Sequence, residues 1–432
     1  MTEDGDVKIL GIAIAPWALA CSVLNSTPAY ADDCVTKVDR SNAVRCALAA
    51  SLAIVRERHA LDALEGRKQA VSPLLPSNPQ LAVSGARRRT TASDTTNWYA
   101  TLSQEFEIAG QRGARRDAVD SALSAQGHSV VATERAVAAD AWRAYFIALA
   151  ARDSLATSIR LEQAFAKGTE AAQAGVAQGL VSGIDGDVAE FTLVQLSHAR
   201  REAELTFQRA TAELASSFGL DPATATPSLA GELVPLTNVA SLAADRVSDA
   251  VEHRPEVLQA KAAQQSYDYS ASAFRRGRVP NVTLSVYAQR DGFNEHVLGG
   301  GLALPIPLPH PLGRTYSGEI AENEALSRQA AAEIDRMRRD ARLEVVVARQ
   351  AFDAANVRLA LFTEERMVRA EQSLHSIATQ IGAGRLSLSN AVVPQQTLIE
   401  FMRAYTEAKL EVCLTSVELA RTAGLALVGE RL

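Results

Sequence analysis

The stretch Trp98-Tyr99-Ala100-Thr101-Leu102-Ser103-Gln104-Glu105-Phe106-Glu107-Ile108 decides the fold of this chain. Its side chains alternate between two faces, and Gln104 is the single polar residue on the apolar face. The apolar face carries Trp98, Ala100, Leu102, Phe106 and Ile108, and the hydrophilic face carries Thr101, Ser103, Glu105 and Glu107. A strand of about ten residues with one apolar and one hydrophilic face has the dimensions of an outer-membrane barrel strand.

The same pattern occurs twice in the chain. In the first copy Pro79–Gly85 precedes a polar turn and the stretch above, and in the second copy Pro280–Val286 precedes another turn and Val297–Leu304. In the third of these strands Thr283 and Ser285 lie on the hydrophilic face. Matching spacings support an internal duplication, since the interval from Ser182 to Gly219 equals that from Ser387 to Gly424. We therefore predict a first structural repeat over residues 32–220 and a second over residues 246–432.

Between the repeats, residues 221–245 are rich in Pro, Thr and Ser, which predicts a linker. A short apolar run at Leu233–Leu236 predicts one small strand within it.

Long helices are predicted on both sides of the strands. Gly110 to about Ala174 contains no proline and predicts a helix of about 65 residues, about 100 Å long. Gly313 to about Gln380 predicts a second such arm. Each arm ends at a glycine-rich turn and returns as a helix of about 35 residues. The expected fold class is mainly α, with long antiparallel helical hairpins plus four β-strands.

The amino-terminal segment predicts export. Ile9–Leu24 is apolar but too short for a membrane-spanning helix, and Ala29-Tyr30-Ala31 follows as a cleavage motif. Residues 1–31 are therefore predicted to be a signal peptide cleaved between Ala31 and Asp32. The alternative is processing at Cys21, which would leave a lipidated cysteine at the mature amino terminus.

Cysteine usage leaves one question open. In an oxidising compartment Cys34 and Cys46 either form a disulfide or remain two free thiols, whereas Cys413 is interpreted as a small core residue.

Composition and motifs exclude several functions. The net charge of −6, with basic and acidic residues interspersed, argues against nucleic-acid binding. The seven histidines stand singly, no C-x-x-C spacing occurs, and Gly299–Gly301 falls in a predicted strand. No enzymatic activity, resident metal or cofactor is expected.

Four strands cannot close a barrel in lipid, because an open edge would leave backbone groups unpaired. The chain must therefore associate with copies of itself. A dimer would supply about eight strands and a packed interior, and a trimer about twelve strands and a water-filled one.

In order and spacing, several short segments resemble the TolC-type outer membrane efflux proteins, and more specifically the outer membrane component of cobalt-zinc-cadmium type heavy-metal efflux systems. These segments are Asn78-Pro79, Leu102–Arg112, His253-Arg254-Pro255-Glu256 and Leu304–Leu308. The resemblance covers nearly all of the mature chain. It implies a homotrimer whose twelve-stranded barrel lies in outer-membrane lipid and whose helices form a tunnel across the periplasm.

The resemblance also implies a docking site for a periplasmic adaptor protein, which couples the channel to an inner-membrane pump of the RND type. The docking residues would lie at the two helical tips: Gly179, Leu180, Val181, Ser182, Asp185, Gly384, Arg385, Leu386 and Ser387. Alternatively, the tip glycines only turn the chain. Asn390 and Val393 occupy the gate region where some family members carry acidic residues, so a carboxylate ring is not expected there. The hydrophilic face of Thr101, Ser103, Glu105, Glu107, Thr283 and Ser285 would line the barrel lumen.

The function implied is passive conduction, with heavy-metal cations as the expected substrate. Two alternatives stay open: a channel of the same type that exports small organic toxicants or peptides, and a periplasmic helical scaffold or adaptor that does not span the membrane.

Overall fold

The computed structural model describes residues 34–89, 91, 94–239, 247–290, 295–382 and 385–427. In the first half, two helices precede a β-hairpin, and a pair of long antiparallel helices follows it. The elements are α1 (Ala43–Ala50), α2 (Leu52–Val71), β1 (Gln80–Arg89), β2 (Asp94–Phe106), α3 (Gln111–Ala177) and α4 (Gly183–Ser217). This order matches the prediction, and α3 is a single helix of 67 residues.

The second half repeats this plan after a short 3₁₀ turn at Thr237–Val239. Its elements are α5 (Val247–Glu252), α6 (Pro255–Gly277), β3 (Val282–Arg290), β4 (His296–Ala303), α7 (Ser317–Ala360), α8 (Glu364–Gly382) and α9 (Leu388–Thr422). Both returning helices, α4 and α9, contain 35 residues. The mainly helical fold with four strands is confirmed, whereas the closed barrel and the trimer stay predictions.

The second arm departs from the prediction of one unbroken helix. It ends at Ala360 and begins again at Glu364. The backbone N–H groups of Arg366 and Met367 bond to the carbonyl of Thr363, and two acidic residues open the first turn of α8. Thr-Glu-Glu is a helix-start pattern, because a threonine N-cap and acidic residues complement the positive end of the helix dipole. The sequence therefore carried a signal for this break.

The four strands form one antiparallel sheet in the order β1-β2-β3-β4. The register pairs Leu81 with Leu102 and Leu102 with Val286, so the apolar face of each strand continues across the sheet. The central pair joins β2 and β3, which belong to the two different repeats. Edges β1 and β4 each lack a neighbour within the described chain.

A core in the middle of the helices holds the two halves together. We call it the belt: it is centred on Trp142, Tyr145, Phe146 and Leu149 of α3 and includes buried residues of α1, α4, α7 and α9. Trp142 stacks on Phe146 with ring centroids 5.4 Å apart. The belt supplies the buried apolar surface that slender helices cannot provide by pairing alone.

Residues 221–236 of the linker cross the belt as irregular chain. The predicted strand at Leu233–Leu236 is wrong: Leu233 and Leu236 are buried in the belt, and the β-bridge of this region joins Leu229 to Val38. The apolar run is therefore explained by side chains that pack into the belt and not by strand pairing. Cys34 and Cys46, whose pairing the sequence left open, form a disulfide with Cα atoms 6.0 Å apart.

Among the helices of the described ranges, none combines the length and the apolar character that crossing a membrane requires.

Candidate functional site

One face of the sheet is apolar and exposed. Leu81, Leu102 and Val286 form a row across three strands, and all three side chains are exposed. Trp98 and Phe106 lie at opposite ends of this face on β2, eight residues or about 27 Å apart along the strand. Aromatic residues at both ends of an apolar band match the girdles of outer-membrane strands.

The opposite face carries the residues predicted for the lumen. Thr101 pairs with Tyr287, and Ser103 pairs with Ser285, so these side chains share one face with Thr283. Tyr287 lies across from Gly299 in the β3–β4 pair, and a β-carbon on Gly299 would approach the Tyr287 ring to 2.4 Å. The glycine run in β4 therefore makes room for the larger side chains of β3 on this face. The lumen role of the face stays a prediction.

The two carboxylates predicted for the lumen lie at the junction between sheet and helices. Glu105 is on β2, and its carboxylate accepts a hydrogen bond from the Asn281 side chain at 2.8 Å. Glu107 lies one residue beyond β2 and pairs with Arg115 of α3 at 2.7 Å. The predicted strand extended to Ile108, whereas β2 ends at Phe106, so Glu107 lies in the connection to α3. Both charges are held by neighbours, which reduces the negative field they would project into a lumen.

At the same junction, polar contacts of Gln111 and Arg112 give a structural role to the carboxyl end of the segment Leu102–Arg112. The Gln111 amide donates to the Asn281 side chain at 3.1 Å, and Arg112 donates to the Ser72 carbonyl at 2.6 Å. Gly110 has φ +72°, a left-handed conformation that glycine adopts without strain. These residues fix the angle at which α3 leaves the sheet.

The first tip, residues 175–185, is a compact helix-to-helix turn. Gly179 has φ +73°, and the Leu180 N–H donates to the Gly175 carbonyl at 2.8 Å. The Ser182 hydroxyl accepts from the Asp185 N–H at 3.1 Å and donates to its carboxylate at 2.8 Å. Ser182 therefore caps α4, and its predicted docking role stays a prediction.

The surface of the first tip is apolar. Leu180 is 77% exposed, and Ile184, the second residue of α4, is also exposed. Val181 instead packs inward, because a β-carbon on Gly175 would meet its side chain at 2.6 Å. Of the five predicted residues at this tip, Leu180 offers the largest free apolar surface, and Gly179 and Ser182 shape the turn.

The described residues of the second tip, 380–382 and 385–393, repeat this geometry. The N–H groups of Arg385 and Leu386 bond to the Gln380 carbonyl, as those of Leu180 and Val181 bond to Gly175. Ser387 precedes α9 with φ −68° and ψ 143°, close to the φ −70° and ψ 150° of Ser182. Arg385 is exposed and Leu386 packs partly into the tip core. Gly384 lies outside the described residues.

The predicted gate residues lie on one exposed side of α9. Asn390 and Val393 are one turn apart and both are exposed. On the buried side, Gln395 is only 2% exposed, and neither polar atom of its amide has a hydrogen-bond partner in the structure. The lining of the small cavity beside it includes Phe165, Thr169, Ala189, Thr192 and Ile381. The buried amide could not be predicted from local sequence, because its burial depends on how α3, α4 and α9 pack.

Sequence reasoning also missed how Arg254, in the segment that opens the second repeat, is used. Its guanidinium is buried, donates to the Thr422 carbonyl at the end of α9, and pairs with Glu344 at 2.9 Å. Pro255 follows at the first position of α6, where its missing N–H costs no hydrogen bond. Arg254 thus fastens α9 to α7.

Within the described ranges, no group of three or more His, Cys, Asp and Glu side chains could hold a metal ion. Cys413 is buried in the belt, which raises the pKa of its thiol to about 12. The predicted signal peptide and Cys21 lie outside the described residues.

Comparison with known proteins shows a similarity by sequence. The chain is 22% identical over 328 residues to the cobalt-zinc-cadmium resistance protein CzcC of Cupriavidus metallidurans, covering 75% of each chain. No protein-family model matches the chain.

Solved structures share the fold over most of the chain. A membrane protein from Pseudomonas aeruginosa superposes with a TM-score of 0.74 at 18% identity, covering 90% of this chain and 94% of that one. CusC, whose crystal structures concern folding and transmembrane channel formation, superposes with a TM-score of 0.72 at 13% identity. The match covers 89% of this chain and 92% of CusC. The outer membrane protein VceC of Vibrio cholerae superposes with a TM-score of 0.67 at 18% identity, covering 89% of this chain and 96% of that one. The chain therefore resembles the TolC-type outer membrane efflux proteins of the heavy-metal type, as its sequence predicted, and it has their fold.

Proposed function

We propose that this protein is the outer-membrane channel of a tripartite efflux system. Three copies join their sheets edge to edge into a twelve-stranded barrel, and their helices form a tunnel through the periplasm. The observation that carries this proposal is the exposed apolar face that runs across all four strands, together with two unpaired sheet edges. Lipid can cover the apolar face, and neighbouring copies can satisfy the edges.

The helices also require neighbours. In α7 of the second arm, Leu343, Val346, Val347 and Val357 are exposed. An apolar stripe on a helix is stable only when another surface covers it, and adjacent copies in a ring provide that surface. The two repeats, residues 32–220 and 246–432 with the linker at 221–245, would then alternate around the tunnel.

Transport through this channel is passive. A wet lumen lined by Thr101, Ser103, Thr283 and Ser285 supplies hydroxyl groups but no site that must bind the cargo. The energy comes from an inner-membrane pump, and an adaptor protein links that pump to the tips. Heavy-metal cations are the proposed substrate, because the sequence match is a cobalt-zinc-cadmium resistance protein.

The tips supply the proposed adaptor contact. Exposed Leu180 and Ile184 form an apolar knob at the first tip, and Arg385 adds a positive charge at the second. An apolar centre beside a charged residue is a typical protein-binding surface. The glycines contribute by turning the chain tightly enough to expose the knob.

Resistance and conductance measurements test the proposal. A strain lacking the gene is expected to lose resistance to divalent metal cations and to regain it with the wild-type gene. The purified protein is expected to form conducting pores in planar bilayers and to be found in the outer-membrane fraction. A protein found only in the soluble periplasmic fraction, with no conductance, would instead favour the scaffold alternative.

Docking is tested at Leu180 rather than at Gly179. Gly179→Trp would strain the left-handed backbone, so a loss of efflux would have two explanations. Leu180→Glu places a charge on the exposed knob without changing the turn, and we expect efflux to be lost while the oligomer forms. Leu52→Glu is the matched control, since Leu52 is exposed in the belt region far from the tips. Normal resistance in the Leu180→Glu strain would remove the docking role.

A further inference from the structure

A cluster of arginines lies at the end of the sheet farthest from the helices. Arg87-Arg88-Arg89 ends β1, and Arg290 ends β3. Because the chain turns back beyond these residues, they occupy the distal end of both hairpins. In the proposed channel this end faces the cell exterior.

The strand register sorts these arginines by face. Leu81, Val83 and Gly85 lie on the apolar face of β1, so Arg87 and Arg89 extend that same face. Trp98 pairs with Gly85 on one side and Arg290 on the other, which places Arg290 on the apolar face as well. Arg88 points to the opposite face. Three guanidinium groups therefore stand at or just beyond the level of Trp98; we call them the arginine rim.

One carboxylate organises part of the rim. Asp94 pairs with Arg87 at 2.5 Å and lies 3.9 Å from Arg89. Arg87 and Arg89 keep 63% and 76% of their side-chain surface exposed. His296 pairs with Arg290 across β3 and β4 and contributes a ring nitrogen at the same level. Arg87 and Arg89 thus share the Asp94 carboxylate, and Arg290 lies on the same face.

We propose that the arginine rim binds the phosphate groups of glycolipid headgroups in the outer leaflet of the membrane. The inference rests on the proposed function, because it requires the apolar face to lie in lipid. Trp98 marks the interface, since indole rings sit at the headgroup level of a bilayer. Arginine matches phosphate geometry through two parallel N–H donors, and cationic side chains at this level are attracted to anionic lipid.

Continuity with the apolar face favours a lipid over a free anion. A lipid bound here places its acyl chains against Val83, Ala100 and Leu298 while its phosphate reaches the rim. A free phosphate ion would gain only the charged contacts. The occupant is therefore a phosphorylated lipid, and free phosphate becomes an outcome of the test.

Native mass spectrometry of the full-length protein in detergent measures this binding. The oligomer is titrated with bis-phosphorylated lipid A and, separately, with the same lipid after both phosphates are removed. Wild type is expected to prefer the phosphorylated form. Arg89→Gln and Arg290→Gln are each expected to weaken that binding by about five-fold, and the double variant by about 25-fold. Arg88→Gln is the matched control and should keep wild-type binding, since it removes the same charge from the other face.

The inference is overturned by equal affinity for the two lipids, or by equal losses in Arg88→Gln and Arg89→Gln. Full competition by millimolar inorganic phosphate would also overturn it, since the rim would then be a site for the free ion. Failure of the proposed function looks different: the wild-type protein would be a water-soluble single chain. A membrane-inserted oligomer that binds both lipids equally would refute only the lipid-binding role of the arginine rim and would leave the proposed function standing.

Discussion

The two long arms come from matching repeats, yet they differ in continuity. In the first repeat α3 runs unbroken from Gln111 to Ala177, whereas the second arm is divided into α7 and α8 at residues 361–363. The difference follows from what each arm packs against. α3 contacts α1, α2, α4, α6, α8 and α9, whereas α7 contacts chiefly α5, α6 and α9.

Side chains in the belt explain why α3 is the central helix. The repeats are 205 positions apart, the interval from Ser182 to Ser387. At the positions that correspond to Trp142, Tyr145, Phe146 and Leu149, the second arm carries Val347, Gln350, Ala351 and Ala354, all exposed. The first arm therefore supplies most of the aromatic residues of the belt, whereas the corresponding positions of the second arm are exposed.

The aromatic residues of α3 also hold segments distant in sequence. The Tyr145 hydroxyl donates to the Ala230 carbonyl of the linker at 2.6 Å, and burial raises its pKa to about 12. The Trp142 indole donates to the Leu427 carbonyl near the carboxyl end at 3.0 Å. A duplicated pattern thus sets the length of both arms, while their unequal side chains decide which arm forms the aromatic core.

The largest expected effect comes from truncating the belt. Phe146 is fully buried, so Phe146→Ala should lower the free energy of unfolding by about 3–5 kcal/mol. Ala351→Gly in the second arm is the comparison, and only a helix-propensity loss of about 1 kcal/mol is expected there. Thermal unfolding of both variants in detergent measures the difference. Equal shifts in melting temperature would mean that the two arms contribute equally to stability.

Proline scanning sharpens the difference in continuity. Ile159→Pro falls inside α3 and should cost about 3 kcal/mol or more, because it removes a helical hydrogen bond and clashes with the preceding turn. Glu364→Pro is 205 positions later and occupies the first residue of α8, where proline is well tolerated. Circular dichroism and melting temperature should distinguish the two variants. A comparable loss in Glu364→Pro would show that the second arm is continuous.

The disulfide fastens the amino-terminal segment to the belt of the first repeat only. Replacing Cys34 and Cys46 by serine should cost about 3 kcal/mol, the loop-closure entropy of a short loop. Cys413→Ala is the control for loss of a cysteine that forms no disulfide. Melting under non-reducing conditions is the measurement, and a melting temperature equal to that of wild type would assign the disulfide no stabilising role.

The smallest effect is expected in α9 just beyond the second tip. Gln395 is buried without hydrogen-bond partners, so Gln395→Met should raise stability by about 1–3 kcal/mol. Its counterpart Glu190 is exposed in the first repeat, and Glu190→Met should change little. Tip opening can be followed by hydrogen exchange in α9. Loss of stability in Gln395→Met would show that the amide has a partner in solution.

Much of this architecture could be predicted because it depends on local patterns. Alternation of side chains predicted the strands, and glycine followed by a small hydroxyl residue predicted the tips. Contacts between distant segments could not be predicted. The Gln111 bond to Asn281 and the Arg254 bond to Thr422 join residues about 170 positions apart, and the local sequence of one segment does not identify the other.

The most direct test of the account is the number of chains in the detergent-solubilised particle, measured by native mass. The four described strands leave two edges without a neighbour and cannot seal themselves in lipid. We therefore expect three chains, about 12 strands, in a particle whose migration in SDS changes on heating. A stable, water-soluble particle of one chain, with its sheet covered by its own helices, would contradict it.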